Sequence, residues 1–249
     1  MDRRPRVAQT IILAAGSGSR LASARGDVPK PLVTVAGVPL LAHALAHARA
    51  SGCTEAVVVI GFDGDRVRAA VEQMAPGLYV RFIVSPDHSA PNGVSLLAAE
   101  PVAAPIFFLQ MVDHLFGDVA LPKLIAAPLN GEAGRVLVDR APVDLDLADA
   151  TRVRLAGARI TAIGKGIDPY DAIDAGCFVL TGAVFEALRA VPQDAPHTVS
   201  SGMRQLAARG LLNAVDIDGT GWIDVDTPAD RTVAERLIAQ RMLAAPSSA

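Results

Sequence analysis

Residues 7–16, VAQTIILAAG, form an apolar run without clean alternation that breaks off into a glycine-serine loop, GSGSRL. A run of that kind reads as a strand buried on both faces, as in parallel sheets covered by helices. The rhythm then repeats. VPLLAHALAHARASG sets Leu40, Leu41, Ala44, Leu45 and Ala48 at helical spacing and stops at Gly52. EAVVVIG reads as a second buried strand, DGDRVRAAVEQMA as a helix with a charged outer face, and YVRFIVS as a third strand. NGVSLLAAE opens a short helix, and PIFFLQMVD is a fourth strand ending in Asp113. Repeated strand–helix alternation predicts an α/β fold: a mixed, mostly parallel sheet flanked by helices in a single Rossmann-like domain. Right-handed crossovers put the C-terminal strand ends along one edge, where ligands of such sheets bind. The opening loop, the Asn92-Gly93 segment and Asp113 are expected to meet there.

After about residue 130 the pattern changes. GRVLVDR, RVRLAG and RITAIG are short and alternating, with AGAR as a hairpin turn, and predict a small antiparallel insert over about 131–175 that walls off a pocket. AGCFVLTG returns to a strand, GAVFEALRAV and SSGMRQLAARG are helices, and WIDVDTPADRTVAERLIAQRML closes the fold as a short strand and a helix. Thr227 is expected to cap that last helix, with Pro228 at its first position and Asp230 three residues after the cap. The 249 residues suit one domain over 1–243 with a flexible tail at 244–249.

The net charge of -3 leaves no broad basic field for a nucleic-acid backbone. The apolar runs fall far short of the roughly 20 residues that span a bilayer, so no membrane partner is expected. Cys53 and Cys177 make no disulfide framework and no metal spacing, and read as buried thiols in a cytoplasmic protein. His43 and His47 stand four apart on a helix but lack a third ligand, so an incidental pair is expected. The antiparallel insert and the apolar composition suit a homodimer.

Three readings compete for the loop. A dinucleotide fingerprint wants a third glycine where Leu21 stands, and a mononucleotide P-loop wants a Gly-Lys-Ser/Thr that is absent. What remains is a small-residue loop whose N–H groups can line a triphosphate, or a plain tight turn carrying Arg20. PKPL, residues 29–32, favours the former. Lys30 between two prolines is predicted to be extended and rigid, a pre-placed cation for an anion.

LAAGSGSRL, PKPLVTVAGVPLL and WIDVDTP together resemble the nucleotidyltransferases that join a nucleoside triphosphate to a sugar or polyol phosphate. Within that group, PNGVSLLAA, MVDHLF, GKGIDPYDAIDAG and WIDVDTP are most similar to the CTP:inositol-1-phosphate cytidylyltransferases. The resemblance implies a Rossmann-like nucleotidyltransferase domain that moves a cytidylyl group from CTP to a small phosphorylated polyol, giving CDP-inositol and pyrophosphate. It also implies site residues. Leu13, Ala14, Ala15, Gly16, Ser17 and Gly18 would line the nucleotide, and Asn92, Gly93 and Ser95 would read its base. Arg20 and Lys30 would neutralise the triphosphate, and Lys165 would hold the acceptor's phosphate. His114 and Asp174 would face the acceptor, where a carboxylate can accept from neighbouring hydroxyls. Asp113, Asp224 and Asp226 would bind Mg2+, a hard cation whose shell phosphates complete.

Two other readings stay open. The same chemistry could use phosphocholine, a phosphonate or a hexose 1-phosphate, with CTP or another triphosphate. A nucleotide-binding regulatory module without turnover would need no full metal set.

Overall fold

The computed structural model describes residues 7–18, 26–74, 77–126, 129–142 and 147–244. In chain order, β1 (Gln9–Ala14) leads through a 3-10 turn at Lys30–Leu32 to a hairpin of β2 (Thr34–Val35) and β3 (Val38–Pro39). There follow α1 (Leu40–Ala50), β4 (Glu55–Ile60), α2 (Gly64–Met74), β5 (Tyr79–Val84), α3 (Asn92–Ala98), β6 (Ile106–Met111) and β7 (His114–Phe116). The second half runs α4 (Ala120–Ala126), β8 (Gly134–Asp139), β9 (Arg152–Ala156), β10 (Arg159–Gly164), β11 (Ala172–Thr181) and α5 (Ala183–Arg189). It ends with α6 (Val199–Ala208), β12 (Leu212–Asp216), β13 (Trp222–Asp224) and α7 (Pro228–Ala239).

Among the described residues the main sheet has nine strands in the order β5-β4-β1-β6-β11-β8-β12-β10-β9. The expected parallel half is present, since β1 pairs parallel with β4 and β6, and β4 with β5. Helices cover both faces because successive β1 side chains point opposite ways. Ile12 packs with Leu41 and Leu45 of α1, whereas Ile11 joins Phe107, Leu188 and Met203 in the core beneath α5 and α6. The third strand expected at YVRFIVS is β5, which lies at the edge of the sheet among the described residues, where Tyr79 and Val84 are each 64% exposed.

The expected insert is only partly separate. β9 and β10 form the antiparallel hairpin around Gly157, but β8 is buried inside the main sheet, antiparallel to β11 and parallel to β12. β12, absent from the reading of the sequence, supplies that parallel neighbour. β9 also pairs with β11, through Ala172↔Val153 and Ile173↔Arg152, so β11, β8, β12, β10 and β9 curl back on themselves. The 131–175 segment is thus the rolled end of one sheet rather than an appendage.

A second small element holds the C-terminal segment against the strand edge. β13 pairs antiparallel with β7, placing Asp224 opposite His114, Ile223 opposite Leu115 and Trp222 opposite Phe116. Trp222 Nε1 donates to Asp139 Oδ2 at 2.8 Å, anchoring this ribbon to β8. The capping box of α7 forms as expected: Thr227 Oγ1 accepts from Asp230 N–H, and the Asp230 carboxylate accepts from Thr227 N–H. Of the flexible tail expected at 244–249, Ala244 is instead tied to the fold, donating its N–H to Phe116 O at 2.9 Å, and 245–249 lie outside the described residues.

Candidate active site

The loop after β1 and the PKPL segment form one piece of structure. Gly18 has a left-handed backbone (φ 62°), and a Cβ there would stand 2.7 Å from Lys30 Cβ. Only glycine accepts both conditions. Lys30 is not extended, as its flanking prolines suggested. It opens a 3-10 turn in which Leu32 N–H donates to Pro29 O at 2.8 Å. Pro31 fits because the first-turn N–H groups of a helix lack intrahelical partners anyway. The backbone is still rigid, and the Lys30 side chain is only 9% exposed.

Lys30 Nζ sits between two carboxylates, 2.5 Å from Asp113 Oδ2 and 2.5 Å from Asp226 Oδ1. Asp113 follows β6, and its carbonyl accepts from Val225 N–H at 2.9 Å, which draws the β13 segment alongside. His114 Nδ1 lies 2.6 Å from Asp113 Oδ1. Burial alone would raise the Asp113 pKa, but Lys30 and His114 outweigh it and hold the carboxyl well below the usual range. Burial would likewise depress Lys30, yet Asp113 and Asp226 hold the ammonium above its ordinary value. His114 is raised for the same reason, burial being outweighed by Asp113 and Asp224. Asp224 is raised by its burial, with the charges of Asp113 and Asp226 acting in the same direction.

This cluster borders a cavity of about 970 Å³, whose wall includes His114, Asp174, Lys165, Arg204, Trp222 and Asp224. His114 stacks on Trp222 with ring centroids 5.9 Å apart. Its Nε2 edge approaches Gly176, where a Cβ would come within 2.4 Å. Asp174 sits on β11 just before a shift in the β11–β8 register, and its Oδ1 accepts from Gly176 N–H at 2.8 Å. Burial pushes the Asp174 carboxyl up to about 6, against the pull of the Gly176 hydrogen bond and of His114.

The residues expected from the sequence divide into groups. Lys30, Asp113 and Asp226 meet directly, while His114, Asp174, Asp224 and Lys165 share the cavity. Lys165 is exposed and ion-paired with Asp149. Leu13, Ala14 and Ala15 are buried, and Gly16, Ser17 and Gly18 form the adjoining loop. Arg20 lies outside the described residues.

The proposed base readers have structural employment. Asn92 lines the cavity, but its Oδ1 accepts from Val199 N–H at 2.9 Å, so it caps α6 rather than its own helix. Gly93 packs against the His197 carbonyl, which a Cβ would approach to 2.3 Å. Ser95 is buried with its hydroxyl 3.0 Å from that of Ser85. Sequence reasoning missed Arg204 and Ser200, both on the cavity wall. Their spacing of four on a helix was the available signal.

His43 and His47, read from the sequence as an incidental pair on a helix, are both buried in the core. His43 Nε2 lies 3.1 Å from Val35 O, and His47 packs edge-on against Phe116. Among the described residues no three His, Cys, Asp or Glu side chains form a ready-made metal cage. The donor set nevertheless fits magnesium. That ion uses one or two carboxylates plus phosphate and water oxygens, and Asp113 and Asp226 already share one cation, the Lys30 ammonium.

A family model described as a MobA-like NTP transferase domain matches residues 10–144. The chain is 37% identical over 229 residues to the bifunctional IPC transferase and DIPP synthase of Rubrobacter xylanophilus, covering 91% of this chain and 51% of that protein. It is 32% identical over 260 residues to the CMP-5'-(3-aminopropyl)phosphonate synthase of Streptomyces rubellomurinus, covering 91% of this chain and 38% of that protein. The chain spans about half the length of the first of these relatives and less of the second. Among solved structures, the inositol-1-phosphate CTP transferase from T. maritima superposes with a TM-score of 0.85 at 26% identity, over 96% of this chain and 97% of that one.

Proposed function

The chain belongs to the MobA-like NTP transferase family and is a nucleotidyltransferase; from that premise we propose that it moves the cytidylyl group of CTP onto inositol 1-phosphate. The products are CDP-inositol and pyrophosphate. The observation that carries this reading is the Lys30 ammonium clasped by Asp113 and Asp226 at the border of a cavity large enough for a phosphorylated polyol. The specific pair of substrates is supported by the names of the Rubrobacter and T. maritima proteins.

In the reaction an oxygen of the acceptor's phosphate attacks the α-phosphorus of CTP. A new P–O bond forms, the bond to the pyrophosphate oxygen breaks, and the electron pair leaves with pyrophosphate. Two anions must be brought together, so catalysis is alignment and charge neutralisation rather than covalent chemistry. Lys30, rigid on its turn and backed by Gly18, supplies a positive charge where the two phosphates meet. The loop at Gly16–Gly18 offers backbone N–H groups to the triphosphate. His114 shields Asp113 and Asp224 from each other, and Asp174 offers its carboxylate to acceptor hydroxyls. Magnesium, when bound by Asp113 and Asp226 with Asp224 beside them, would neutralise the triphosphate and stabilise the leaving pyrophosphate.

The Streptomyces relative, named as making a CMP-phosphonate, favours one second reading: the same transfer onto a phosphonate. A regulatory module is disfavoured by the intact Lys30, Asp113, Asp224 and Asp226 set. No helix among the described residues is long and apolar enough to cross a membrane. Cys53 and Cys177 are free buried thiols, which suits a reducing compartment such as the cytoplasm. The homodimer stays part of the proposal, to be read from the mass in solution.

The test is pyrophosphate release with each common triphosphate, magnesium, and a panel of inositol 1-phosphate, phosphocholine, hexose 1-phosphates and aminoalkylphosphonates. Release requiring CTP and inositol 1-phosphate is expected. Release only with a phosphonate moves the acceptor to the second reading, and no release with any pair favours the module.

A further inference from the structure

Asn92 joins two elements that stand 107 residues apart in sequence, since its Oδ1 accepts from Val199 N–H at 2.9 Å, the first residue of α6. Its Nδ2 donates toward Met111 Sδ at 3.9 Å, at the end of β6 and two residues before Asp113. The amide oxygen is thus engaged by α6, and the nitrogen faces a weak acceptor. Asn92 opens α3 behind Pro91, and no side chain caps that helix.

The first turn of α6 is ordered partly by its own residues. Thr198 Oγ1 accepts from Ser201 N–H at 3.0 Å, and Ser201 Oγ donates to the Pro196 carbonyl at 2.7 Å. α3 and α5 then seat the turn. A Cβ at Gly93 would stand 2.3 Å from the His197 carbonyl oxygen, and Cβ atoms at Gly93 and Gly202 would each come 2.9 Å from Leu188 Cδ2. α3 and α6 therefore approach as closely as glycine allows, around one leucine of α5.

From this seat α6 walls the cavity. Thr198, Ser200 and Arg204 line it, while Met203 and Leu206 on the same helix are buried in the core. Apolar burial is non-directional and holds the core side of α6 without fixing its roll. A hydrogen bond at the first turn has a set length and angle, and supplies that direction.

We propose that Asn92 is a positioning residue for the acceptor rather than a reader of the base. By tying the first turn of α6 to α3 and to the end of β6, it sets the wall against which the acceptor lies. The assignment rests on the transferase reading, and it moves Asn92 from the nucleotide side of the reaction to the acceptor side. Asn92 acts through Val199 N–H.

Pyrophosphate release is measured with CTP and with UTP, against inositol 1-phosphate or, where wild type prefers it, an aminoalkylphosphonate. The proteins are wild type, Asn92→Ala, Asn92→Asp, Val199→Pro and the double variant Asn92→Ala/Val199→Pro. Loss of one hydrogen bond in Asn92→Ala is expected to raise acceptor KM about threefold to tenfold. CTP KM and the preference for CTP over UTP stay within about twofold of wild type. Asn92→Asp keeps an oxygen for Val199 N–H and returns acceptor KM to within about twofold of wild type. Val199→Pro deletes the donor at the first helical position, where proline is accepted, and Thr198 before it is already extended (φ -88°, ψ 161°). It is expected to reproduce the Asn92→Ala rise, and the double variant to add nothing to it.

A lowered preference for CTP in both Asn92→Ala and Asn92→Asp assigns Asn92 to the base and overturns the proposal. Acceptor and CTP KM rising together, without recovery in Asn92→Asp, shows a general loss of structure and overturns it too. Additive rises in the double variant, or a wild-type acceptor KM in Asn92→Ala, refute the link through Val199. Wild type that releases no pyrophosphate with any pair sinks the transferase reading, and this assignment falls with it.

Discussion

Gly18 lies against the side-chain stem of Lys30, so closely that a Cβ at position 18 would stand 2.7 Å from Lys30 Cβ and 2.9 Å from its Cδ. The strand-end loop and Lys30 are therefore one mechanical unit. Gly18→Ala is expected to strain the left-handed backbone by about 1–2 kcal/mol and push the lysine aside. Thermal unfolding and pyrophosphate release read the two effects, and turnover should drop about tenfold or more. Normal turnover in a folded variant would show that the contact does not position Lys30.

Removing the ammonium leaves two carboxylates facing each other. Lys30→Met is expected to cost about 3–5 kcal/mol at pH 7, the range for breaking a buried pair by deleting one partner. The pH sign follows from the shifts. Asp113 is depressed on folding, so its contribution is present above the ordinary carboxylate pKa and is lost as pH falls through the folded value. Lys30 is raised, so its contribution holds below its ordinary pKa and disappears as pH rises through the folded one. Urea unfolding should show the gap between wild type and variant narrowing below about pH 4, where the variant's carboxylates take up protons. A gap independent of pH would count against the pairing.

Asp113→Asn keeps the shape and removes the charge. Pyrophosphate release at saturating CTP is expected to fall by at least about a hundredfold, while far-ultraviolet circular dichroism stays unchanged. Near-normal rates would take Asp113 out of the site.

Asp174 is held at a cost to the fold. Its carboxyl is raised to about 6, so the native state holds the proton more tightly and stability declines as pH climbs from about 4 through 6. Asp174→Asn keeps the acceptor oxygen for Gly176 N–H and removes the buried charge. It is expected to gain about 2–3 kcal/mol at pH 7.5 and almost nothing at pH 3, with acceptor KM raised. Equal Tm shifts at both pH values would refute the assignment.

His47 provides a control outside the site. Both its ring nitrogens are buried without a partner among the described residues, and burial, with His43 nearby, lowers its pKa to about 3. A neutral buried histidine weakens the fold as pH falls below about 6.5, because the unfolded chain takes the proton. His47→Leu is expected to stabilise by about 1 kcal/mol at pH 7 and about 2 kcal/mol more at pH 5. The edge contact with Phe116 is lost, which trims the gain. Chemical denaturation at the two pH values measures it; no dependence on pH would mean that the ring is hydrated.

Much of this molecule was legible one segment at a time. The apolar runs of β1, β4 and β6, the periodicity of α1 and the capping box of α7 are set by neighbours within a few residues, so a short window contains their cause. Lys30 and Asp113 were legible as residue types at a loop and a strand end. The tertiary structure alone decided that Lys30 clasps Asp113 and Asp226, which stand 83 and 196 residues away in sequence. It also decided that β7 and β13 pair, that Asn92 caps α6 instead of its own helix, that β8 enters the main sheet, and that Arg204 reaches the cavity. Local pattern determines which face of an element is apolar. Which distant element covers that face depends on chain crossings and shared packing, and no window of sequence holds that information.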